Sequence, residues 1–98
     1  MNNSIERYRV YKGKHPGMVL LFENGGIYRV YEDDAETCSK IFGIKTEEVC
    51  NSDGTSFLKA GFPYSLLDHI LIRLMAAGKK ICIIEEVKIQ KEQRSSIL

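Results

Sequence analysis

The order of apolar and polar positions divides the chain into strand-like and helix-like stretches. Met18, Val19, Leu20, Leu21 and Phe22 form an unbroken apolar run behind Pro16-Gly17, with the length and composition of a strand buried on both faces. Asn24-Gly25-Gly26 then predicts a tight turn, because residues that must take φ > 0 in a short connection are glycine or asparagine by preference. Beyond it the pattern alternates: Ile27, Arg29 and Tyr31 share one face of an extended segment, and Tyr28 and Val30 share the other. As the end of a hairpin, this turn leaves Ile27 either as a strand-end core residue or as a tip that touches something. Glu32-Asp33-Asp34 opens a helix whose Ala35, Cys38, Ile41 and Phe42 make an apolar stripe, with Gly43 as its terminator. Three adjacent carboxylates invite a metal site, but a helix N-terminus favours acidic residues through its dipole and unpaired amides, so the structural reading is preferred.

The flanking stretches are less uniform. In residues 1–15, Ser4 can cap a helix carrying Ile5, Tyr8 and Tyr11 at helical spacing and ended by Gly13 and Pro16, but Tyr8 to Tyr11 also alternates like a strand, and spacing alone leaves the two readings open. Val49-Cys50, a turn at 51–54 ending in Asp53-Gly54, and 55–58 read as a second hairpin. Ala60-Gly61-Phe62-Pro63-Tyr64 is expected to form a fixed bend, since Pro63 sets its own φ and pushes Phe62 toward extended backbone. The clearest helix is 66–77. Ser65 and Asp68 make a capping box in its Asp form, Gly78 marks the exit, and Leu66, Leu67, Ile70, Leu71, Leu74 and Met75 form a broad stripe that must cover a sheet. His69 falls beside that stripe as a surface or core-edge residue. Ile81 to Ile84 reads as a central strand fed by this helix in a right-handed crossover. Residues 88–98 are polar, without helical or strand period, and are expected to form a flexible tail. The result is a single α+β domain over 1–98, a small mixed sheet of four to five strands under two or three covering helices.

Composition narrows the function classes. Ninety-eight residues suffice for one core, and no apolar run approaches the roughly 20 residues that cross a bilayer, so a cytoplasmic location is expected. Three cysteines, Cys38, Cys50 and Cys82, lack a C-x-x-C pair, which argues against a disulfide framework or zinc site and for small buried hydrophobes. No phosphate-binding glycine loop of the G-x-x-x-x-G-K form and no catalytic set can be placed, so neither an enzyme nor a cofactor is expected. Lys and Arg total 14 against 13 Asp and Glu, a formal charge of +1, well short of the basic balance that phosphate binding usually announces. Cations are nevertheless clustered, with Arg7, Arg9, Lys12 and Lys14 near the start and Lys79-Lys80 at a turn; they form either a local basic face or solvated surface positions.

Three ordered blocks carry a family resemblance. LLFENGGIYRVYEDDA resembles the opening of the mismatch-recognition domain of the MutS DNA mismatch repair proteins, where the pattern is roughly L-L-F-x-M-G-D-F-Y-E-x-F-x-x-D-A. KHPGMVLLF resembles the family's approach to that strand, and AGFPYSLLDHILIRLMAAGKKICIIEEV its A-G-x-P-Y-H and V-A-I-C-E-Q region, so the likeness runs from about Tyr8 to Val87. The resemblance implies an α+β domain of the same kind, with a helix in place of a strand in residues 1–15 and a trimmed version of a basic, glycine-rich insertion near 44–60. It also implies a DNA contact at the hairpin, where the family wedges a Phe against a mispaired base and hydrogen-bonds that base through a Glu two residues on. This sequence has Ile27 and Arg29 at those positions, Asn24 for the family's Met and Gly26 for its Asp. Ile27 can still pry base steps apart but has no π face to stack; Arg29 cannot accept a hydrogen bond and can sit on a phosphate or on guanine.

Two functions stay open on these residues. One is a stand-alone, non-catalytic module that binds double-stranded DNA weakly, through a glycine-hinged finger of Asn24, Gly25, Gly26, Ile27 and Arg29 with Lys79 and Lys80 on the backbone. The other is a protein-interaction module that kept the fold and lost mismatch reading. The chain either acts alone or completes a protein partner that supplies the clamp, lever and ATPase domains that larger family members use.

Overall fold

The computed structural model describes residues 3–85. Helix α1 (Asn3–Lys14) leads into β1 (Met18–Asn24), β2 (Ile27–Tyr31), helix α2 (Glu32–Phe42), β3 (Glu47–Cys50), β4 (Ser56–Pro63), helix α3 (Leu67–Ala76) and β5 (Lys80–Ile84). The five strands form one mixed sheet in the order β3-β4-β2-β1-β5, antiparallel throughout except for the parallel pair β1 and β5. This is the α+β architecture expected from the pattern. The expected tail at 88–98 lies outside the described residues.

Strand alternation sorts the side chains into two cores. Val19 and Leu21 of β1, Tyr28 and Val30 of β2 and Ala60 and Phe62 of β4 face α2 and α3, where Ala35, Cys38, Ile70 and Leu74 close over them. Leu20, Phe22, Tyr31, Phe57 and Ile84 face α1 and meet Ile5 and Tyr8. The Ile5, Tyr8, Tyr11 spacing is therefore the inner face of a helix: Ile5 and Tyr8 are buried and Tyr11 lies edge-on to Phe22 at 6.0 Å. Each fully buried side chain of this size contributes roughly 1.5–3 kcal/mol through removal from water.

Several expectations need correction. Helix α1 runs through Gly13 to Lys14, because the turn continues with His15 N–H donating to Tyr11 O at 2.9 Å. Residues 60–63 do not bend; they are the second half of β4, which ends at Pro63, and the chain turns only at Tyr64. Ser65 caps nothing: with Tyr64 N–H committed to Gly26 O at 3.0 Å, the chain enters α3 through a 3-10 turn over Tyr64–Leu66, and Ser65 lies inside it. The apolar arc of α3 is wider than the face it covers, leaving Leu66 and Met75 exposed. Strand β5 is an edge strand: Ile81 packs against one core and Cys82 and Ile84 against the other, while Ile83 stays exposed, and an apolar run says nothing about lateral position. Cys38 is buried as expected, but Cys50 is exposed and Cys82 only half-buried.

The acidic triplet does more than favour a dipole. Tyr31 is the N-cap of α2 and gives no side-chain cap. Asp34 turns inward instead, accepting from Leu20 N–H at 3.1 Å and from Lys12 Nζ at 2.9 Å, while the same ammonium donates to Met18 O. Glu32, at φ 52, makes the strand-to-helix corner with no connecting residue, and its carboxylate accepts from Leu58 N–H at 3.0 Å. The pair Tyr31 and Lys59 is the last in the β2–β4 register, so the Glu32 side chain takes the place of the next strand residue.

Candidate functional site

The hairpin between β1 and β2 has a two-residue loop. Asn24 pairs with Ile27, and Gly25 and Gly26 stand at φ +57 and +92, the type I′ geometry that suits the twist of flanking strands. A Cβ at either glycine would meet nothing within 4 Å, so the tip offers bare backbone to its surroundings. It is braced on one side. Gly26 O accepts from Tyr64 N–H, and Tyr64 stacks on Tyr28 at 5.1 Å and 11°, with Phe62 on the Tyr28 ring in turn at 5.5 Å. The expected freely hinged finger is thus a fixed corner of the sheet. Burial and the hydroxyl contact with Tyr64 push the Tyr28 phenol up to about 12, so it stays neutral.

On the α1 face of the same corner, Ile27 is half-buried, neither in the core nor fully displayed. Arg29 is also half-buried. Opposite it in the antiparallel registers lie Phe22 on one side and Gly61 on the other, and a guanidinium nitrogen stands 3.9 Å from where a Gly61 Cβ would be. The absence of a side chain at position 61 therefore gives the guanidinium room over β4. Neither of the two ion pairs among the described residues involves Arg29; these are Arg9 with Glu32 and Lys12 with Asp34.

The structure thus gathers Asn24, Gly25, Gly26, Ile27 and Arg29 and separates them from Lys79 and Lys80. The register pairs Lys80 with Met18, at the opposite end of β1 from Asn24. Six residue steps of strand separate them, roughly 20 Å. Nor do the four N-terminal cations form one face: Lys12 points inward, Arg9 meets Glu32, and Arg7 lies over Phe22 at 5.3 Å and Tyr11 at 5.7 Å. Among the described residues no group of His, Cys, Asp and Glu is arranged to hold a metal ion, and no helix is long and apolar enough to cross a membrane. Sequence reasoning missed Arg7, Gly61 and Tyr64 as parts of this corner. The four-residue spacing of Arg7 and Tyr11 was the only available signal for Arg7.

Comparison with known proteins bears on this geometry. The family model of MutS domain I matches residues 2–97. The DNA mismatch repair protein MutS of Salinibacter ruber is 37% identical over 84 residues, 86% of this chain and 9% of the relative. That of Bacteroides thetaiotaomicron is 39% identical over 77 residues, 79% of this chain and 9% of the relative. The Cytophaga hutchinsonii protein is 32% identical over 93 residues, 95% and 11%. The chain therefore spans about a tenth of the length of these curated relatives. A family model that matches residues 2–97, together with relatives 32–39% identical over 79–95% of the chain, shows that the chain belongs to the MutS domain I family of the DNA mismatch repair proteins.

Proposed function

We propose that this chain is a non-catalytic, mismatch-recognition-like DNA-binding module whose contact is the corner formed by Asn24, Gly25, Gly26, Ile27 and Arg29. The braced type I′ turn carries the reading: bare backbone, an aliphatic side chain and a cation lie on one side of a fixed tip, the chemistry needed to enter a groove and meet a phosphate. Ile27 acts as an aliphatic wedge and Arg29 as a phosphate or guanine contact, an altered version of the Phe and Glu of the family pattern. Lys79 and Lys80 share no surface with the tip and contribute at most a separate contact. Cytoplasmic location, and a protein partner or further polypeptide supplying the remaining repair domains, belong to the same proposal.

Affinity should be weak and steeply salt-dependent, since the chain carries a formal charge of only +1 and each phosphate contact releases counterions. Fluorescence anisotropy against perfect, mismatched and looped duplexes at two salt concentrations tests this. Arg29→Glu should abolish binding and leave the circular dichroism spectrum unchanged. No detectable binding at low salt retires the reading.

A second reading has its own observation. Ile72 and Met75 on α3 are 63% and 61% exposed, and Ile83 on the β5 edge is 40% exposed. That apolar surface suits a protein-interaction module that no longer reads mismatches. It predicts salt-insensitive association, measurable by sedimentation.

A further inference from the structure

Between the N-terminal turns of α1 and the β1–β2 hairpin lies a small notch of about 40 Å³, lined by Ser4, Arg7, Phe22, Asn24 and Arg29, with Glu23 also at its wall. Its volume is room for about three waters, too little for a base but commensurate with the oxygens of one tetrahedral oxyanion. Phe22 is its floor. Arg7 lies across that ring from the helix side, and Arg29 stands directly opposite Phe22 in the strand register. The Arg7 guanidinium lies over both the Phe22 and the Tyr11 ring, and these two cation–π contacts narrow the rotamer freedom it would lose on binding.

Charge in the notch is unbalanced. Both arginines are half-buried and neither belongs to an ion pair among the described residues. Glu23 does not offset them fully, because alternation along β1 sends its side chain toward the face of Leu21 and away from Phe22; accordingly its charge acts on Tyr28 across the sheet. Two guanidiniums beside one small cavity repel each other, and a bound anion reverses that repulsion. Ser4 and Asn24 add polar groups at the rim.

We infer that this notch is a phosphate-binding site in which Arg7 and Arg29 hold one phosphate group between them. The inference rests on the DNA-binding reading for the source of that phosphate, a backbone phosphodiester beside the hairpin tip, but the site itself is defined without it. It gives Arg29 a partner on another element and commits it to phosphate in preference to guanine.

Two measurements test it. Inorganic phosphate is titrated into the ¹⁵N-labelled protein and the Nε–Hε resonances of Arg7 and Arg29 are followed; both should move on one saturating curve, while Arg73 stays still. Unmoved resonances, or two unrelated curves, overturn the site whatever DNA does. Salt dependence of duplex binding is then compared for wild type, Arg7→Gln, Arg29→Gln and the double variant, each checked for an unchanged melting curve. If one phosphate is shared, the double variant loses only about 0.9 from the slope of log K against log salt; two independent contacts would remove about 1.8 and refute sharing. Phosphate binding without duplex binding would keep the notch as a site for small phosphates and sink the DNA reading.

Discussion

Replacing Asp34 by alanine should be the most damaging single polar substitution in the domain, and its cost can be worked from its partners. The side chain is 4% exposed and accepts from the buried Leu20 N–H and from Lys12 Nζ, whose own side chain is 24% exposed. Removing the carboxylate strands the Leu20 amide inside the sheet–helix interface, about 1–3 kcal/mol for an unsatisfied buried donor. It also leaves the Lys12 ammonium without its anion. Breaking a fully buried pair costs about 3–5 kcal/mol, but Lys12 keeps Met18 O and some water, so the lower end applies. The two effects overlap, giving about 3 kcal/mol in all, or roughly 12–24 °C in Tm for a domain of this size. Urea unfolding followed by circular dichroism measures it, with Asp33→Ala as the reference; Asp33 is exposed in the same helical turn and should cost at most about 1 kcal/mol. The Lys12→Met/Asp34→Ala double variant should cost less than the sum of the singles. If Asp34→Ala costs no more than Asp33→Ala, the inward network does not hold α2 and α1 to the sheet, and the acidic triplet is only a dipole feature after all.

Cys38 is buried beside Asp34, and burial together with that charge pushes its thiol up to about 12 from 9.0, so a thiol reagent at pH 8 should modify the exposed Cys50 in the native protein and reach Cys38 only after unfolding. Because the folded pKa values of Cys38 and Tyr28 are raised, their contribution to stability is intact below about 9 and is lost as pH rises toward 12; alkaline melting curves should shift downward across that window. Hydrogen bonds from Thr55 hold the Asp53 carboxyl below its ordinary value, so the 51–54 turn should loosen only as pH falls through that lowered range, seen as faster amide exchange at Thr55. At the hairpin, Gly26→Val at φ +92 should cost about 1–2 kcal/mol, whereas Gly25→Asn at φ +57 should be nearly neutral; thermal unfolding distinguishes them.

The sheet's interior was legible from spacing because burial on a strand has a period of two and on a helix of 3.6. Thus Leu20 and Phe22 separated from Val19 and Leu21, and Ile5 lined up with Tyr8, without reference to any partner. Lateral position left no such trace, which is why β5 read as central: Ile81 and Cys82 need cover above and below, and an edge strand can have both. Ser65 misled because a capping box describes four residues alone, whereas Tyr64 N–H is claimed by Gly26, far away in sequence. The site divided in the same manner. Asn24, Gly25, Gly26, Ile27 and Arg29 are neighbours along the chain and were legible together. Arg7 and Gly61 reach the corner through tertiary packing, and Lys79-Lys80, alike in charge, belong to the other end of the sheet.

The corner at Glu32 has one further consequence. Strand β2 is pinned at both ends, by a reversal of backbone direction that admits no extra residue at Tyr31–Glu32 and by the Gly26–Tyr64 bond at the tip. A one-residue slip would invert every side chain and break both anchors at once. The hairpin therefore cannot slide, and a ligand that meets it finds a surface already in its final shape, so that little ordering entropy opposes association and discrimination depends on how far the ligand, not the protein, must deform.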